Sequence, residues 1–128
     1  MTTDPDSLDG VRVLVVEDDF DVAEALRLVL ATAGAEVIGP VSTVEAACEL
    51  AKAQPLDAAV LDIALSPGTS APVARTLLYR GCPFVFVTGF SNVEMLPEEL
   101  RGHHVLVKPV DGRTLRAAIH TLVHRATE

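Results

Sequence analysis

Cysteine is scarce: Cys48 and Cys82 are the only two in 128 residues. One possible pair is no disulfide framework, and both positions read as small buried hydrophobes. Basic charge is also thin, with ten Lys and Arg against eighteen Asp and Glu, a net charge of −8. A phosphate backbone would be repelled by such a surface, which argues against nucleic-acid binding. No apolar run approaches the ~20 residues needed to span a bilayer. The opening Met-Thr-Thr-Asp-Pro-Asp-Ser lacks the basic start and apolar core of a signal peptide. The expected location is therefore cytoplasmic, away from membranes. Repeats, linkers and low-complexity segments are missing, and no Ser-His or Cys-His nucleophilic arrangement can be read. His120 and His124 lie one helical turn apart, but no third metal ligand accompanies them, and His103 and His104 carry no signal.

What the chain does have is a globular share of apolar residues, 49%, and enough length for one domain with a full core. Residues 1–10 read as a short acidic tail and residues 11–126 as the domain. Strand-like and helix-like patterns alternate throughout. Val11 to Val16 has the valine-rich signature of a strand buried on both faces. Val22, Leu26, Val29, Leu30 and Ala33 follow at helical spacing and stop at Gly34. Glu36 to Val41 reads as a strand that Pro40 assigns to an edge or an early end. Ser42 and Glu45 form a capping-box pattern before Val44, Ala47, Cys48 and Ala51. Ala58 to Leu61 predicts a third strand, and a helix with Val73, Ala74, Leu77 and Leu78 on its apolar side closes at Gly81. Phe84 to Val87 and Val105 to Val107 predict two more strands. Between them Pro97 suits the first turn of a short helix. A last helix presents Leu115, Ala118, Ile119 and Leu122.

Five such units with short connections imply a flavodoxin-like (βα)5 fold, a doubly wound parallel sheet in the order 2-1-3-4-5. That order sets strands one, three, four and five side by side, and their ends carry Glu17, Asp18 and Asp19, then Asp62, Thr88 and Lys108. Ligands gather at the carboxyl ends of such strands. Three close carboxylates raise one another's pKa or need a cation between them, and Mg²⁺ suits oxygen ligands of this kind. Asp19 has the plainer task of capping the following helix. Asp62, directly after a buried strand, can act as a nucleophile and become an aspartyl phosphate. Phosphoryl transfer asks a protein mainly for positioning and charge neutralisation, for which Thr88 and Lys108 are suited.

The segments Val-Leu-Val-Val-Glu-Asp-Asp (13–19), Val-Leu-Asp-Ile (60–63), Phe-Val-Thr-Gly-Phe (86–90) and Val-Lys-Pro (107–109) resemble the receiver domain of two-component response regulators. The resemblance covers Val11 to about Arg125. It implies that Asp62 accepts phosphate from a phosphohistidine on a histidine kinase or phosphotransferase, without turnover of an external substrate. It further implies that Glu17, Asp18, Asp62 and the backbone carbonyl of Ala64 hold Mg²⁺. Thr88 and Lys108 then engage the phosphoryl group, and the bond before Pro109 is cis. A downstream protein is expected on the face of the predicted fourth helix, fifth strand and fifth helix.

Departures from the family pattern are equally specific. The family's Leu-Pro-x-x-Asp-Gly run is here Leu65-Ser66-Pro67-Gly68-Thr69-Ser70, and the usual switch aromatic of the fifth strand is Val105. Thr88-Gly89-Phe90 is similar to the branch of single-domain receivers with a Phe-Ala-Thr-Gly-aromatic signature. Phe90 is a candidate replacement switch, with Gly89 giving it freedom. A stand-alone regulator or phosphate sink is the leading expectation. The alternatives are a phosphorylation-independent adaptor, a flavodoxin-like ligand binder, and an aspartyl-phosphate hydrolase. Glu17, Asp18 and Asp19 stand where a flavodoxin-like protein needs a phosphate cradle. The hydrolase would want a second acid where Ala64 stands.

Overall fold

A computed structural model describes residues 7–89 and 92–126. Strands β1 (Arg12–Val16), β2 (Glu36–Val41), β3 (Ala58–Asp62), β4 (Phe84–Thr88) and β5 (Val105–Val107) form one parallel sheet. Their order is 2-1-3-4-5, as the alternating pattern predicts. Helices α1 (Phe20–Thr32), α2 (Val44–Ala53), α3 (Ala71–Arg80) and α4 (Gly112–Ala126) cover its two faces. Among the described residues, no helix is long and apolar enough to cross a membrane.

Period-two alternation along the inner strands builds two separate cores. Leu14, Ala59, Leu61 and Phe86 pack with Ala47, Ala51, Val73 and Leu77 of α2 and α3. Val13, Val15, Val60 and Val85 pack with Leu26, Leu30, Leu115 and Ile119 of α1 and α4. Each Val, Leu, Ile or Phe among them contributes about 1.5–3 kcal/mol when fully buried. Only a central strand apolar on both faces supports this arrangement, and β1, β3 and β4 are the three that read that way. β2 is a half-buried edge strand, in keeping with Pro40, and its pairing with β1 is irregular between Leu14 and Val16.

Local chemistry sets the helix ends. Asp19 caps α1 by accepting from the Val22 amide at 3.1 Å. Beyond α1, Gly34 has φ +102°, and a Cβ there would fall 1.9 Å from Asp9 Oδ1. α2 starts one residue later than the capping-box pattern suggests: Thr43, not Ser42, accepts from the Ala46 amide at 3.2 Å. Leu78, placed on the apolar side of α3 by spacing, is 45% exposed, while Leu77 fills the core.

The segment between β4 and β5 is where the fold departs from five regular units. In place of a fourth α-helix it makes two 3₁₀ turns, Asn92–Met95 and Glu98–Leu100. Pro97 precedes the second turn rather than sitting inside it. A continuous helix would require an amide at position 97 to donate to Val93, and proline has none. The Val93 carbonyl instead accepts from Leu96, and that of Pro97 from Leu100, while Leu96 and Leu100 are buried in the α2–α3 core.

Candidate functional site

Strand register assembles the site at the strand ends: Asp62 and Thr88 are the last residues of β3 and β4, and Glu17 and Lys108 the first beyond β1 and β5. Val16 is opposite Leu61, so Glu17 emerges beside Asp62. Asp62 pairs with Val87, one residue short of Thr88, and Thr88 pairs with Val107, one residue short of Lys108. The Lys108 amide donates to the Thr88 carbonyl at 2.7 Å and fixes that corner. The Lys108–Pro109 bond is cis.

Lys108 Nζ donates to Glu17 Oε1 at 2.7 Å and to Asp62 Oδ2 at 3.2 Å. Glu17 is 2% exposed and Asp62 5%. Burial pushes the Glu17 carboxyl up to about 8, and its hydrogen bond with Asp62 adds to this against the lowering pull of Lys108. Desolvation depresses the Lys108 ammonium, but hydrogen bonding and charge from Glu17 and Asp62 outweigh it and leave its pKa raised. One lysine is thus the counter-charge for two buried acids.

That compensation is incomplete. Among the described residues Glu17 Oε2 is buried without a hydrogen-bond partner, and the neighbouring Asp62 oxygens can only accept unless one acid carries a proton. Ligand oxygens of Glu17, Asp18 and Asp62 lie within 4.8 Å of one another. An orphaned buried oxygen in a cluster of hard oxygen donors fits a divalent cation such as Mg²⁺, which favours carboxylates and retains waters. Asp18 is the exposed member of the three, and its Oδ2 accepts from the Ser66 amide at 3.1 Å.

The Ser66 contact could not be foreseen from the sequence, because it depends on the path of the 65–70 loop. The loop turns tightly on itself. Leu65 donates to the Gly68 carbonyl, Ser70 to that of Ile63, and Ala64 bridges Thr69. Gly68 takes φ +93°, a left-handed conformation natural only to glycine. Ala64 therefore sits at the base of a closed turn directly after Asp62 and Ile63. Thr88 is fully buried, with its hydroxyl 3.5 Å from the Gly89 carbonyl. Val105 is half-buried. Phe90 lies outside the described residues.

An acid–lysine cluster at the carboxyl edge of a parallel sheet ordered 2-1-3-4-5 defines a flavodoxin-like α/β domain with an acidic site. A family model for the response regulator receiver domain matches residues 13–120, and the chain belongs to that family. It is 30% identical over 134 residues to the transcriptional regulatory protein PdtaR of Mycobacterium tuberculosis (strain CDC 1551 / Oshkosh). The match takes in 99% of this chain and 63% of that protein, so the chain spans less than two thirds of that relative's length. The solution structure of SdrG from Sphingomonas melonis Fr1 is 33% identical with a TM-score of 0.77, covering 89% of this chain and 97% of SdrG. The receiver domain of a modulated diguanylate cyclase from Desulfovibrio desulfuricans G20 is 29% identical with a TM-score of 0.81, covering 93% and 98% of the two chains.

Proposed function

We propose that this domain accepts a phosphoryl group on Asp62 from a phosphohistidine of a histidine kinase or histidine phosphotransferase, and relays its state by binding a downstream protein. The observation that carries this reading is the lysine bridge. Lys108 Nζ holds Glu17 and Asp62 together at the edge where β1, β3 and β5 end. In the transfer, an Asp62 oxygen forms the new P–O bond as the P–N bond to the donor imidazole breaks, and the released imidazole nitrogen takes a proton. Negative charge spreads over the equatorial phosphoryl oxygens, and stabilising that charge is the protein's main catalytic task. Lys108, already aimed at Asp62, neutralises part of it, and the Thr88 hydroxyl donates to another oxygen. Glu17, Asp18, Asp62 and the Ala64 carbonyl would hold Mg²⁺, which when bound supplies positive charge to the remaining oxygen. The Ser66 amide orients Asp18 for this role. Gly89 lets the end of β4 adjust as Thr88 engages phosphate, with Phe90 as the responding aromatic in place of Val105. The domain then returns to its resting state by hydrolysis.

The test is intact-mass spectrometry after incubation with acetyl phosphate, with and without Mg²⁺, on the wild type and Asp62→Asn. A phosphate adduct requiring both Mg²⁺ and Asp62 is the expected result. Equal incorporation by Asp62→Asn would refute the assignment of the acceptor.

A further inference from the structure

Charge is distributed very unevenly in this molecule. Residues 101–126 contain five of the ten Lys and Arg and all four His, but only Asp111 among the eighteen acids. The fold turns this imbalance into a surface. A groove of about 660 Å³ runs between β5 and α4, with Phe84, Leu106 and Leu122 in its lining and His103, His104, Arg113 and Arg125 around it. Arg113 and Arg125 are exposed, and neither makes a salt bridge among the described residues. Asp111, near Arg113 at the start of α4, has oxygens that already accept from the Arg113 amide and the Thr114 hydroxyl. The groove lies at the last strand of the sheet, since β5 pairs with β4 alone.

We infer that this groove docks a short acidic, amphipathic segment of a partner protein, with aliphatic side chains on the apolar lining and carboxylates against Arg113 and Arg125. The inference rests on the receiver reading for its meaning as the output contact. Charge complementarity argues for the acidic partner: two exposed guanidinium groups, without a salt bridge among the described residues, match carboxylates in a bidentate fashion. The lining argues for a protein rather than a nucleic acid. Phe84 is only 3% exposed and offers no ring face for a base to stack on. At −8 the whole molecule also repels an extended polyanion, whereas a short peptide meets mainly the local cations within a Debye length. The same net charge disfavours a second copy of this chain.

The experiment selects a displayed library of random dodecapeptides on the wild-type domain. Enriched peptides are then synthesised and their affinity measured against wild type, Arg113→Glu/Arg125→Glu and Arg113→Ala/Arg125→Ala, at low and high salt. The expected outcome is enrichment of peptides rich in Asp or Glu with interspersed Leu or Ile. Their binding should weaken by about tenfold or more on charge reversal, less on alanine replacement, and fall with added salt. Enrichment of neutral or basic peptides overturns the inference. So does an affinity unchanged by both double variants, a failure to enrich, or tighter binding of a single-stranded dodecanucleotide. The same samples are treated with acetyl phosphate and Mg²⁺. Absence of an adduct on the wild type would count against the receiver reading, while the peptide result would still decide the groove.

Discussion

Glu17 is the residue whose environment departs furthest from that of a free side chain. In the unfolded chain it titrates as an ordinary carboxyl near ~4.3; in the fold, burial and then the Asp62 carboxyl push it up to about 8. Between those values the folded state keeps a proton that the unfolded chain releases. The stability this contributes is complete below the unfolded value and is lost as pH rises through about 8. Metal-free protein should accordingly show a Glu17-dependent fall in urea midpoint from about pH 5 to about pH 8, read as the difference from Glu17→Gln. A divalent cation held as proposed would replace that proton, so Mg²⁺ should bind more tightly as pH rises, release a proton on binding, and restore the midpoint. A profile identical in wild type and Glu17→Gln would disprove this. Lys108 makes a second prediction. Removing the donor that faces Asp62 should slow phosphorylation by acetyl phosphate about 100-fold in Lys108→Ala, the usual scale for losing one charge-stabilising group, as timed by intact mass.

At the scale of elements, caps and breakers decide where helices begin and whether they persist. Thr43 satisfies an orphan amide of α2, so Thr43→Ala should cost about 1 kcal/mol in chemical denaturation. Ser42→Ala should cost almost nothing, because Ser42 precedes the cap. Sequence pattern located this helix but placed its cap one residue early; two adjacent hydroxyl residues offer the same chemistry, and only the chain's path into Val44 chooses between them. The 92–100 segment poses the opposite problem. Val93, Leu96 and Leu100 have helix-like spacing, and Pro97 can be read either as a first-turn residue or as a breaker. The missing amide makes it a breaker, and the buried Leu96 and Leu100 hold the two turns in place of a helix. The face expected to meet a downstream protein, read from the sequence as a fourth helix, fifth strand and fifth helix, is instead made of two 3₁₀ turns, β5 and α4.

Across the whole molecule, stability comes from two cores separated by the sheet. Leu77 is completely buried in one of them, while Leu78, its neighbour on α3, is 45% exposed. Leu77→Ala should therefore destabilise by about 2–5 kcal/mol, and Leu78→Ala by within about 0.5 kcal/mol, in parallel urea titrations. The strand pattern marks which strand residues are interior, since β1 is apolar from Val13 to Val16 and β3 and β4 are apolar up to Asp62 and Thr88. Helix periodicity is less decisive, and Leu77 and Leu78 show why: adjacent residues differ by 100° around the axis, and an apolar stripe is wide enough to include either one at its margin.

The order of elements, the two-faced strands and the set Glu17, Asp18, Asp62, Thr88 and Lys108 were all legible from the chain alone. Each depends on local patterning and on the rule that parallel strands deliver their ends to one edge. Tertiary structure decided what those residues do to one another. The lysine shared by two buried acids, the orphaned oxygen of Glu17 and the tether from Ser66 to Asp18 join residues 46 to 91 positions apart. The basic groove likewise exists only where β5 and α4 meet. Distances of a few ångströms between remote residues set these energies, because Coulomb and hydrogen-bond terms depend on separation and burial, and a linear sequence specifies neither.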